Sequence, residues 1–311
     1  MSMSHEPEGT PRHVVTPRSV RAVGHEEGLL FPLSSEETRA LVRTALDEDG
    51  AFQDVTTIAT VRSDRRTHAT LVARQKGVIA GAALAIEAFH QLDESVTVRV
   101  DAEDGARVGE ATPVFFLTGK ARALLSAERV ALNFMQRLSG IASLTRMYVD
   151  AIAGTRAKIL DTRKTTPGWR RLEKYAVRAG GGKNHRMNLA SSVLIKDNHL
   201  AAVDGDIALA ISRARELAPL GTRVEVECDR LEQVERAVTA GADIIMLDNM
   251  SLDEMRACVQ AVARKATIEA SGGVTRDRVR AIAETGVDWI SVGALTHSAP
   301  ALDLALDFEG T

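Results

Sequence analysis

The hydrophobic pattern before residue 120 predicts one helix followed by an antiparallel sheet. Residues 34–49 place apolar side chains near helical spacing behind Ser34 and Ser35, either of which can cap a helix. Residues 54–57 are predicted to form a loop or the start of a strand. From Thr67 to Thr118, short apolar or β-branched runs alternate with glycine and charged turns, which indicates the strands of an α+β unit.

A strongly helical segment follows at residues 121–153. Its apolar residues recur every three or four positions and therefore share one face: Leu124, Ala127, Ala131, Phe134, Met135 and Leu138. Ser139-Gly140 is predicted to break this helix, because glycine is a poor helix former. A second helix is then predicted to continue to Gly154.

Beyond Gly154 the chain alternates between short apolar strands and helical segments. The predicted strands are Ala157–Leu160, Val193–Ile195, Val224–Val226, Ile244–Leu247, Thr267–Ile268 and Trp289–Val292. Strands separated by helices pair in parallel through right-handed crossovers. They can form either an open sheet or an incomplete barrel. We favour the barrel, because no Gly-x-Gly-x-x-Gly dinucleotide turn follows the first strand.

Composition narrows the class of protein. The chain has 311 residues and a formal net charge of −3, so its overall charge does not draw it to nucleic acids or membranes. No apolar run approaches the roughly 20 residues that span a bilayer. Cys228 and Cys258 are too few for a disulfide framework, and we expect them to be buried in a cytoplasmic, reducing environment. Residues 1–25 lack an apolar h-region and are predicted to be a disordered leader.

Ionisable side chains end successive predicted strands, where the active residues of parallel barrels gather. The segments are Asp161-Thr162-Arg163-Lys164, Lys196-Asp197-Asn198-His199, Glu227-Cys228-Asp229, Asp248-Asn249 and Glu269-Ala270-Ser271-Gly272-Gly273. Arg163, Lys164 and Lys196 directly end buried strands, and buried cations need anionic partners. These residues therefore predict a site for a phosphate-bearing, carboxylate-bearing substrate. We interpret the other nearby cations as a solvated helix face: Arg170, Arg171, Lys174 and Arg178.

Two glycine turns are candidates for a phosphate site. Ser271-Gly272-Gly273 and Gly293-Ala294 each precede a helix, and the backbone N–H groups at a helix start bind phosphate. In barrels the last two strand ends often form such a site. The glycine-rich segment 180–186 is either a flexible loop or a backbone that closes over phosphates, and its spacing does not match a P-loop.

Glu227 and Asp248 end neighbouring strands and are predicted to point to one spot. Paired carboxylates can bind sugar hydroxyls, hold Mg²⁺ or stabilise positive charge on carbon, and they can also form salt bridges with Lys164 and Lys196. Of Glu225 and Glu227 we expect only one to face the site, and we choose Glu227. His199 is predicted to be a hydrogen-bonding loop residue, because no ligand spacing here supports zinc.

These residues resemble the quinolinate phosphoribosyltransferase family, over nearly the whole chain after the leader. The motifs that carry the resemblance are Asp54-Val55-Thr56-Thr57, Gly77-Val78-Ile79-Ala80-Gly81, Glu128-Arg129-Val130-Ala131-Leu132-Asn133, Asp161-Thr162-Arg163-Lys164-Thr165-Thr166-Pro167-Gly168, Gly181-Gly182-Lys183-Asn184-His185-Arg186, Lys196-Asp197-Asn198-His199, Glu225-Val226-Glu227, Leu247-Asp248-Asn249 and Ser271-Gly272-Gly273. The resemblance implies an α/β fold with an N-terminal α/β sandwich domain at 26–138, on which residues 298–311 pack. It also implies an open six-stranded parallel α/β barrel at 139–297 and a homodimer with shared sites.

The resemblance further implies that quinolinate and phosphoribosyl pyrophosphate give nicotinate mononucleotide, pyrophosphate and CO₂, with Mg²⁺ and no organic cofactor. Candidate ligands of the quinolinate carboxylates are Arg129 (from the partner subunit), Arg163, His185 and Arg186, with Thr162 and Lys164 nearby. Lys164 and Lys196 are candidates for the pyrophosphate. Glu227 and Asp248 are candidates for the ribose and for Mg²⁺. Ser271, Gly272, Gly273, Gly293 and Ala294 are candidates for the 5′-phosphate.

Two other functions remain open at this point. A related barrel enzyme could ribosylate a different anionic ring. A non-catalytic phosphate-binding barrel could keep Ser271-Gly272-Gly273, but it would have no need of Glu227 and Asp248. The dicarboxylate-binding cations and the paired carboxylates favour the enzyme.

Overall fold

A computed structural model of the chain describes residues 14–15 and 29–309. These residues divide into two compact units, one reaching Ser139 and resuming at Ala301, the other comprising Gly140–Pro300. Within the predicted leader, Val14–Val15 form a two-residue strand; the rest of residues 1–25 lies outside the described residues. In the described part of the chain, no helix is both long and apolar enough to cross a membrane.

The first unit contains an antiparallel sheet with helices, as the hydrophobic pattern predicts. Its helices are α1 (Ser35–Glu48), α2 (Val55–Thr60) and α3 (Ala82–Leu92). Its strands are β1 (Val14–Val15), β2 (Arg66–Ala73), β3 (Gly77–Val78), β4 (Thr97–Val100), β5 (Arg107–Val108), β6 (Pro113–Lys120) and β13 (Leu304–Phe308). The main sheet has the order β1-β4-β6-β2-β13, and β3 pairs with β5. The last strand of the chain thus completes the first unit.

Side-chain caps begin the first two helices. The Ser34 hydroxyl accepts the N–H of Glu37 at 3.2 Å, and the Glu37 carboxylate accepts the N–H of Ser34 at 2.8 Å. This capping box selects Ser34 as the cap of α1. The Asp54 carboxylate accepts the N–H of Thr57 at 3.0 Å and caps α2. The predicted loop or strand entry at 54–57 is therefore wrong, because an aspartate cap directs these residues into a helix.

Helix α4 runs from Ala121 to Ala151 without interruption. The predicted break at Ser139-Gly140 is wrong. The buried Ser139 hydroxyl accepts the N–H of Ala80 at 2.9 Å and donates to its carbonyl at 3.2 Å. Leu138 and Ile141 beside it are fully buried. One glycine costs a helix about 1 kcal/mol, and burial of these apolar side chains offsets that cost.

The second unit is an open parallel α/β barrel of six strands, as predicted. The strands are β7 (Lys158–Leu160), β8 (Val193–Ile195), β9 (Val224–Cys228), β10 (Ile244–Asp248), β11 (Thr267–Ser271) and β12 (Trp289–Ser291). The helices are α5 (Arg170–Ala179), α6 (Asp197–Ala201), α7 (Ile207–Leu217), α8 (Leu231–Thr239), α9 (Leu252–Val262), α10 (Arg276–Glu284) and α11 (Ala294–His297). The sheet order is β7-β12-β11-β10-β9-β8. The barrel is open because β7 and β8, consecutive in the chain, lie at opposite edges.

Helix α9 illustrates how the barrel helices form. Ser251 caps it through a capping box with Glu254, at 2.8 and 3.3 Å. Its buried residues Met255, Cys258 and Val262 recur at helical spacing and give it an apolar face. Cys258 and Cys228 are both free and buried, as predicted.

Strands β9 and β11 extend beyond their predicted ends. Glu227 lies inside β9, and Glu269 and Ser271 lie inside β11. Their backbones pair in register with β10, with Met246 opposite both Glu227 and Glu269. Polar side chains thus occupy inward-facing positions in the second half of these strands.

Candidate active site

One cavity of about 750 Å³ lies at the carboxyl ends of the barrel strands. The predicted site residues that line it are Thr162, Arg163, Lys164, His185, Arg186, Lys196, Glu227, Asp248, Ser271, Gly272, Gly273, Gly293 and Ala294. Arg129 does not line it; this arginine is exposed on α4. Parallel strands bring their carboxyl ends to one edge, so residues far apart in the chain meet here.

Three cations of the cavity have no carboxylate partner in the part of the chain that the structure describes. Among the residues that the structure describes, no carboxylate oxygen lies within 4.0 Å of Arg163, Lys164 or Arg186. The Nε atom of Arg163 is buried and has no hydrogen-bond partner there. Burial, followed by the nearby charge of Arg163, lowers the pKa of Arg186. Such a group of cations favours a bound anion.

The backbone around Lys164 is held from two sides. The N–H of Lys164 donates to the Thr162 hydroxyl at 3.1 Å. The Thr296 hydroxyl, on α11, donates to the Lys164 carbonyl at 2.7 Å. A Cβ atom on Gly293 would lie 3.2 Å from the Lys164 side chain, so glycine leaves room for it. The end of β12 therefore positions the lysine that follows β7.

Glu227 and Asp248 line the cavity on neighbouring strands. Glu227 forms an ion pair with Lys196, and Asp248 accepts the Asn249 side-chain amide at 2.8 Å. Within the described part of the chain, Oε1 of Glu227 and Oδ1 of Asp248 accept no hydrogen bond. The predicted salt bridge to Lys196 is thus present, and the remaining carboxylate oxygens suit a hard cation such as Mg²⁺.

The glycine turn after β11 approaches the end of β10 closely. Gly272 has a φ of +82°, and a Cβ atom there would lie 2.3 Å from Oδ1 of Asn249. The N–H of Asn249 donates to the Ser271 carbonyl at 3.0 Å, which joins the two strand ends. Only glycine fits this turn, which leaves exposed backbone at the cavity wall.

A buried ion pair supports the first strand end from outside the barrel. Lys174 is 1% exposed and pairs with Asp161, which is 0% exposed. The prediction that Lys174 belongs to a solvated face is wrong, because its side chain reaches inward from α5 to the end of β7. Asp161 is thus an ion-pair partner at the end of β7. It also accepts hydrogen bonds from the Asn184 side chain at 2.6 Å and the His185 N–H at 2.9 Å.

A second layer of polar side chains lies on the barrel's inner face below the cavity. Glu225 and Glu269 are buried, and Glu269 accepts a hydrogen bond from Ser291. Of Glu225 and Glu227, only Glu227 lines the cavity, as expected, but both point inward, because residues two apart in a strand share a face. Burial, followed by the charge of Glu225, raises the pKa of Glu269 to about 7. The Glu269 carboxyl is therefore much more readily protonated than an exposed glutamate.

His185 contacts this layer. Burial lowers its pKa while Glu225 and Glu269 raise it, with a net rise. Its Nδ1 atom nevertheless accepts the N–H of Arg186 at 2.7 Å, and an imidazolium would turn a second donor toward that N–H. The geometry therefore corresponds to an imidazole without a proton on Nδ1.

Several cavity residues were not among the predicted site residues. They are Leu194, Met246, Asn249, Val274, Ser291 and His297. Asn249 and Ser291 could have been found, because one follows Asp248 directly and the other lies two residues before Gly293. His199 was predicted as a hydrogen-bonding loop residue. Its Nδ1 accepts the Lys196 N–H at 3.0 Å, as predicted, but it lies within α6.

Comparison with known families gives two matches that together cover most of the chain. Residues 54–139 match the family model of the quinolinate phosphoribosyl transferase N-terminal domain, and residues 141–307 match that of its C-terminal domain. The boundary between the matches falls where the two compact units of the structure meet along the sequence.

Individual relatives agree with these matches. The chain is 45% identical to the probable nicotinate-nucleotide pyrophosphorylase [carboxylating] of Bacillus subtilis, over 84% of this chain and 89% of that one. It is 44% identical to the corresponding protein of Mycobacterium leprae, over 90% and 100%. The solved nicotinate-nucleotide pyrophosphorylase of Francisella tularensis superposes with a TM-score of 0.85 at 40% identity, covering 90% of this chain and 98% of that chain. The chain therefore belongs to the quinolinate phosphoribosyltransferase family.

Proposed function

We propose that this chain transfers the phosphoribosyl group of phosphoribosyl pyrophosphate to quinolinate and releases pyrophosphate and CO₂, forming nicotinate mononucleotide for NAD biosynthesis. The observation that carries the proposal is one cavity lined both by Arg163, Lys164 and Arg186, which pair with no carboxylate among the described residues, and by the carboxylates Glu227 and Asp248. The names of the relatives support the same reaction.

The cationic wall suits the dicarboxylate. Guanidinium groups bind carboxylates through two parallel N–H···O bonds. Lys164, which follows Arg163 in the chain, adds a point charge to the same wall. The buried Nε of Arg163, which has no partner among the described residues, gains an acceptor when an anion binds. Arg163 and Arg186 therefore select and orient the acid.

The carboxylate pair suits the ribose. Loss of pyrophosphate leaves positive charge on the sugar ring, and fixed carboxylates stabilise such charge. Glu227 and Asp248 lie on neighbouring strands and line the same cavity. Each has an oxygen available to bind a ribose hydroxyl.

The pyrophosphate end requires positive charge. Lys164 and Lys196 supply it from the strand ends. Mg²⁺ arriving with the substrate would neutralise further charge on the leaving group, and Glu227 and Asp248 are the residues that would hold it. The tight Gly272-Gly273 turn and the start of α11 at Ala294 supply backbone N–H groups for the 5′-phosphate.

Ribosylation prepares the decarboxylation. Once the ring nitrogen carries the ribose it is positively charged, so it stabilises the electron pair that remains on C2 when CO₂ leaves. A proton then replaces the carboxylate at C2. The role of the chain in this step is to hold the ring and its remaining carboxylate in place.

We further propose a homodimer in which Arg129 reaches the partner's cavity. Arg129 is exposed on α4, and no described carboxylate pairs with it. A third cation would complete the wall formed by Arg163 and Arg186.

The test is a turnover assay with both substrates. CO₂ and pyrophosphate should be released in equal amounts, and only when quinolinate, phosphoribosyl pyrophosphate and Mg²⁺ are all present. Nicotinate serves as the matched control, because it lacks the second carboxylate. Efficient reaction of nicotinate without CO₂ release would overturn the substrate assignment.

A further inference from the structure

Both ring nitrogens of His185 have partners inside the protein. Nδ1 accepts the N–H of Arg186 at 2.7 Å. Nε2 lies 3.3 Å from Oε2 of Glu225 and 3.6 Å from Oε1 of Glu269. The single proton of the neutral ring therefore lies on Nε2 and points toward the two carboxylates. The side chain is 10% exposed and lines the cavity, while both ring nitrogens are engaged by partners within the protein.

The backbone of His185 is fixed as well. Its N–H donates to Asp161 at 2.9 Å, and its carbonyl accepts Nζ of Lys174 at 3.1 Å. The side chain of Asn184 also donates to Asp161, at 2.6 Å. The segment before Arg186 is thus tied to β7 and α5 by its backbone, and to β9 and β11 by the imidazole.

The two glutamates are themselves held rigidly. Glu225 is 2% exposed and Glu269 is 0% exposed. Ser291, on β12, donates to Glu269. The second oxygens of both glutamates are buried and have no hydrogen-bond partner in the described part of the chain. Burying a carboxylate oxygen without a hydrogen-bond partner costs free energy, so each such group calls for an explanation. Contact of both carboxylates with the His185 ring provides one.

We infer that Glu225 and Glu269 are positioning residues that act through the His185 ring to fix the backbone of Arg186 and so direct its guanidinium at a substrate carboxylate. His185 then binds the substrate through neither ring nitrogen, in contrast to the role predicted for it. The inference rests on the proposed function, because the carboxylate concerned is that of quinolinate.

Two substitutions of His185 separate positioning from direct binding. Asparagine places an oxygen near the position of Nδ1 and can still accept the Arg186 N–H. Glutamine instead places an amide nitrogen near the position of Nε2. It keeps the donor toward the two glutamates but loses the acceptor for the Arg186 N–H. Positioning predicts that His185→Asn raises the KM for quinolinate less than His185→Gln does. The reverse order would show that the Nε2 donor binds substrate, and would overturn the inference.

The glutamates provide the second arm. Glu225→Gln and Glu269→Gln should each raise the KM for quinolinate by roughly fivefold to tenfold, the effect of about one lost hydrogen bond. The KM for phosphoribosyl pyrophosphate should stay within about twofold, since the change is confined to the acid-binding wall. If the glutamates were purely structural, the two substitutions would lower the melting temperature but leave the ratio of the KM for quinolinate to the KM for phosphoribosyl pyrophosphate unchanged. That result would refute the inference.

A double-mutant cycle completes the test. If Glu225 acts through His185, Glu225→Gln should raise the KM for quinolinate no further in a His185→Gln background. Additive effects would show an independent action and overturn the inference. A wild-type chain that releases no CO₂ from quinolinate would instead overturn the proposed function. If the wild type is active but the variants have the same KM for quinolinate as the wild type, the inference alone would be overturned.

Discussion

Gly272 and Asn249 approach each other more closely than any side chain on residue 272 would permit. A Cβ atom there would lie 2.3 Å from the Asn249 amide oxygen and 2.9 Å from its backbone nitrogen. The close approach joins the ends of β11 and β10 at the proposed 5′-phosphate site. Asn249 itself has a φ of 55°, so both sides of the contact use left-handed backbone.

Gly272→Ala should therefore impair binding of phosphoribosyl pyrophosphate. The turn must open to admit the methyl group, and we expect kcat/KM for this substrate to fall by at least about tenfold, a typical cost of a displaced binding group. Gly221→Ala is the matched control, because Gly221 has a φ of +81° and nothing within 4 Å of its Cβ position. Both variants should lose stability through backbone strain. Equal kinetics for both would contradict the role of the turn.

Glu227→Ala and Asp248→Ala should each reduce turnover by about 10²- to 10³-fold, since each removes a charge that stabilises the developing cation. Their melting temperatures should change little, because both side chains lie at the cavity. Asp229→Ala is the control: it lies one residue beyond β9, but its side chain is 64% exposed in a surface ion pair with Arg230. Turnover measured at saturating substrates checks this, and unchanged values would remove the two residues from the mechanism.

A mixture of Arg129→Ala and Lys164→Ala subunits should recover activity if Arg129 acts in the partner's site. Each heterodimer then contains one intact site, so full exchange should restore about a quarter of the wild-type activity. The measurement is turnover after subunit exchange has been verified with differently tagged chains. Activity that stays at the level of the separate variants would count against the shared site.

Glu269 should make stability depend on pH. Its pKa is about 7 in the folded protein, above the ordinary value of 4.5. Its favourable contribution is therefore complete below about pH 4.5 and is lost as the pH rises through 7. Glutamine at position 269 has no proton to lose. The unfolding free energy of Glu269→Gln, taken relative to that of the wild type, should therefore rise between pH 5 and pH 8, with a slope that corresponds to about one proton. Denaturant unfolding checks this, with the exposed Glu284→Gln as a control that should show no such trend.

Lys174→Met should be strongly destabilising. The substitution leaves Asp161 as a buried, uncompensated charge, which costs about 3–5 kcal/mol of unfolding free energy. Asp47→Asn breaks a half-exposed pair with Arg43 and should lower the unfolding free energy far less, because solvent screens exposed charges. Denaturant unfolding of both variants gives the comparison. Similar losses would mean that the Asp161–Lys174 pair does not stabilise the end of β7.

The cavity wall was largely predictable because it depends on rules that act over short stretches of sequence. Alternating strands and helices predict a parallel barrel, and a barrel brings the residues after its strands to one edge. Lys164 and Gly272 are more than 100 residues apart, yet Lys164, Glu227 and Gly272 each lie at or within four residues of the end of an apolar strand. Position within the local pattern was therefore sufficient to group them.

The layer beneath the wall was not predicted, because it depends on pairings between distant residues. Lys174 was interpreted as solvated since its helix carries several cations, and nothing local shows that its nitrogen reaches Asp161. Glu225 was set aside although the period of two places it beside Glu227 on the inner face. The continuity of α4 through Gly140 likewise depends on burial, which overrides local helix propensity.

The order of strands in the barrel also has a consequence for synthesis. β7 lies at the edge of the sheet, and its strand partner is β12, which follows it in the chain by about 130 residues. At ribosomal rates that interval is on the order of ten seconds. Throughout it, an apolar strand with an open hydrogen-bonding edge waits for its neighbour, and such edges are sites of aggregation. The arrangement that brings Lys164 next to α11 in the folded protein therefore leaves the edge of β7 without its strand partner until β12 has been made.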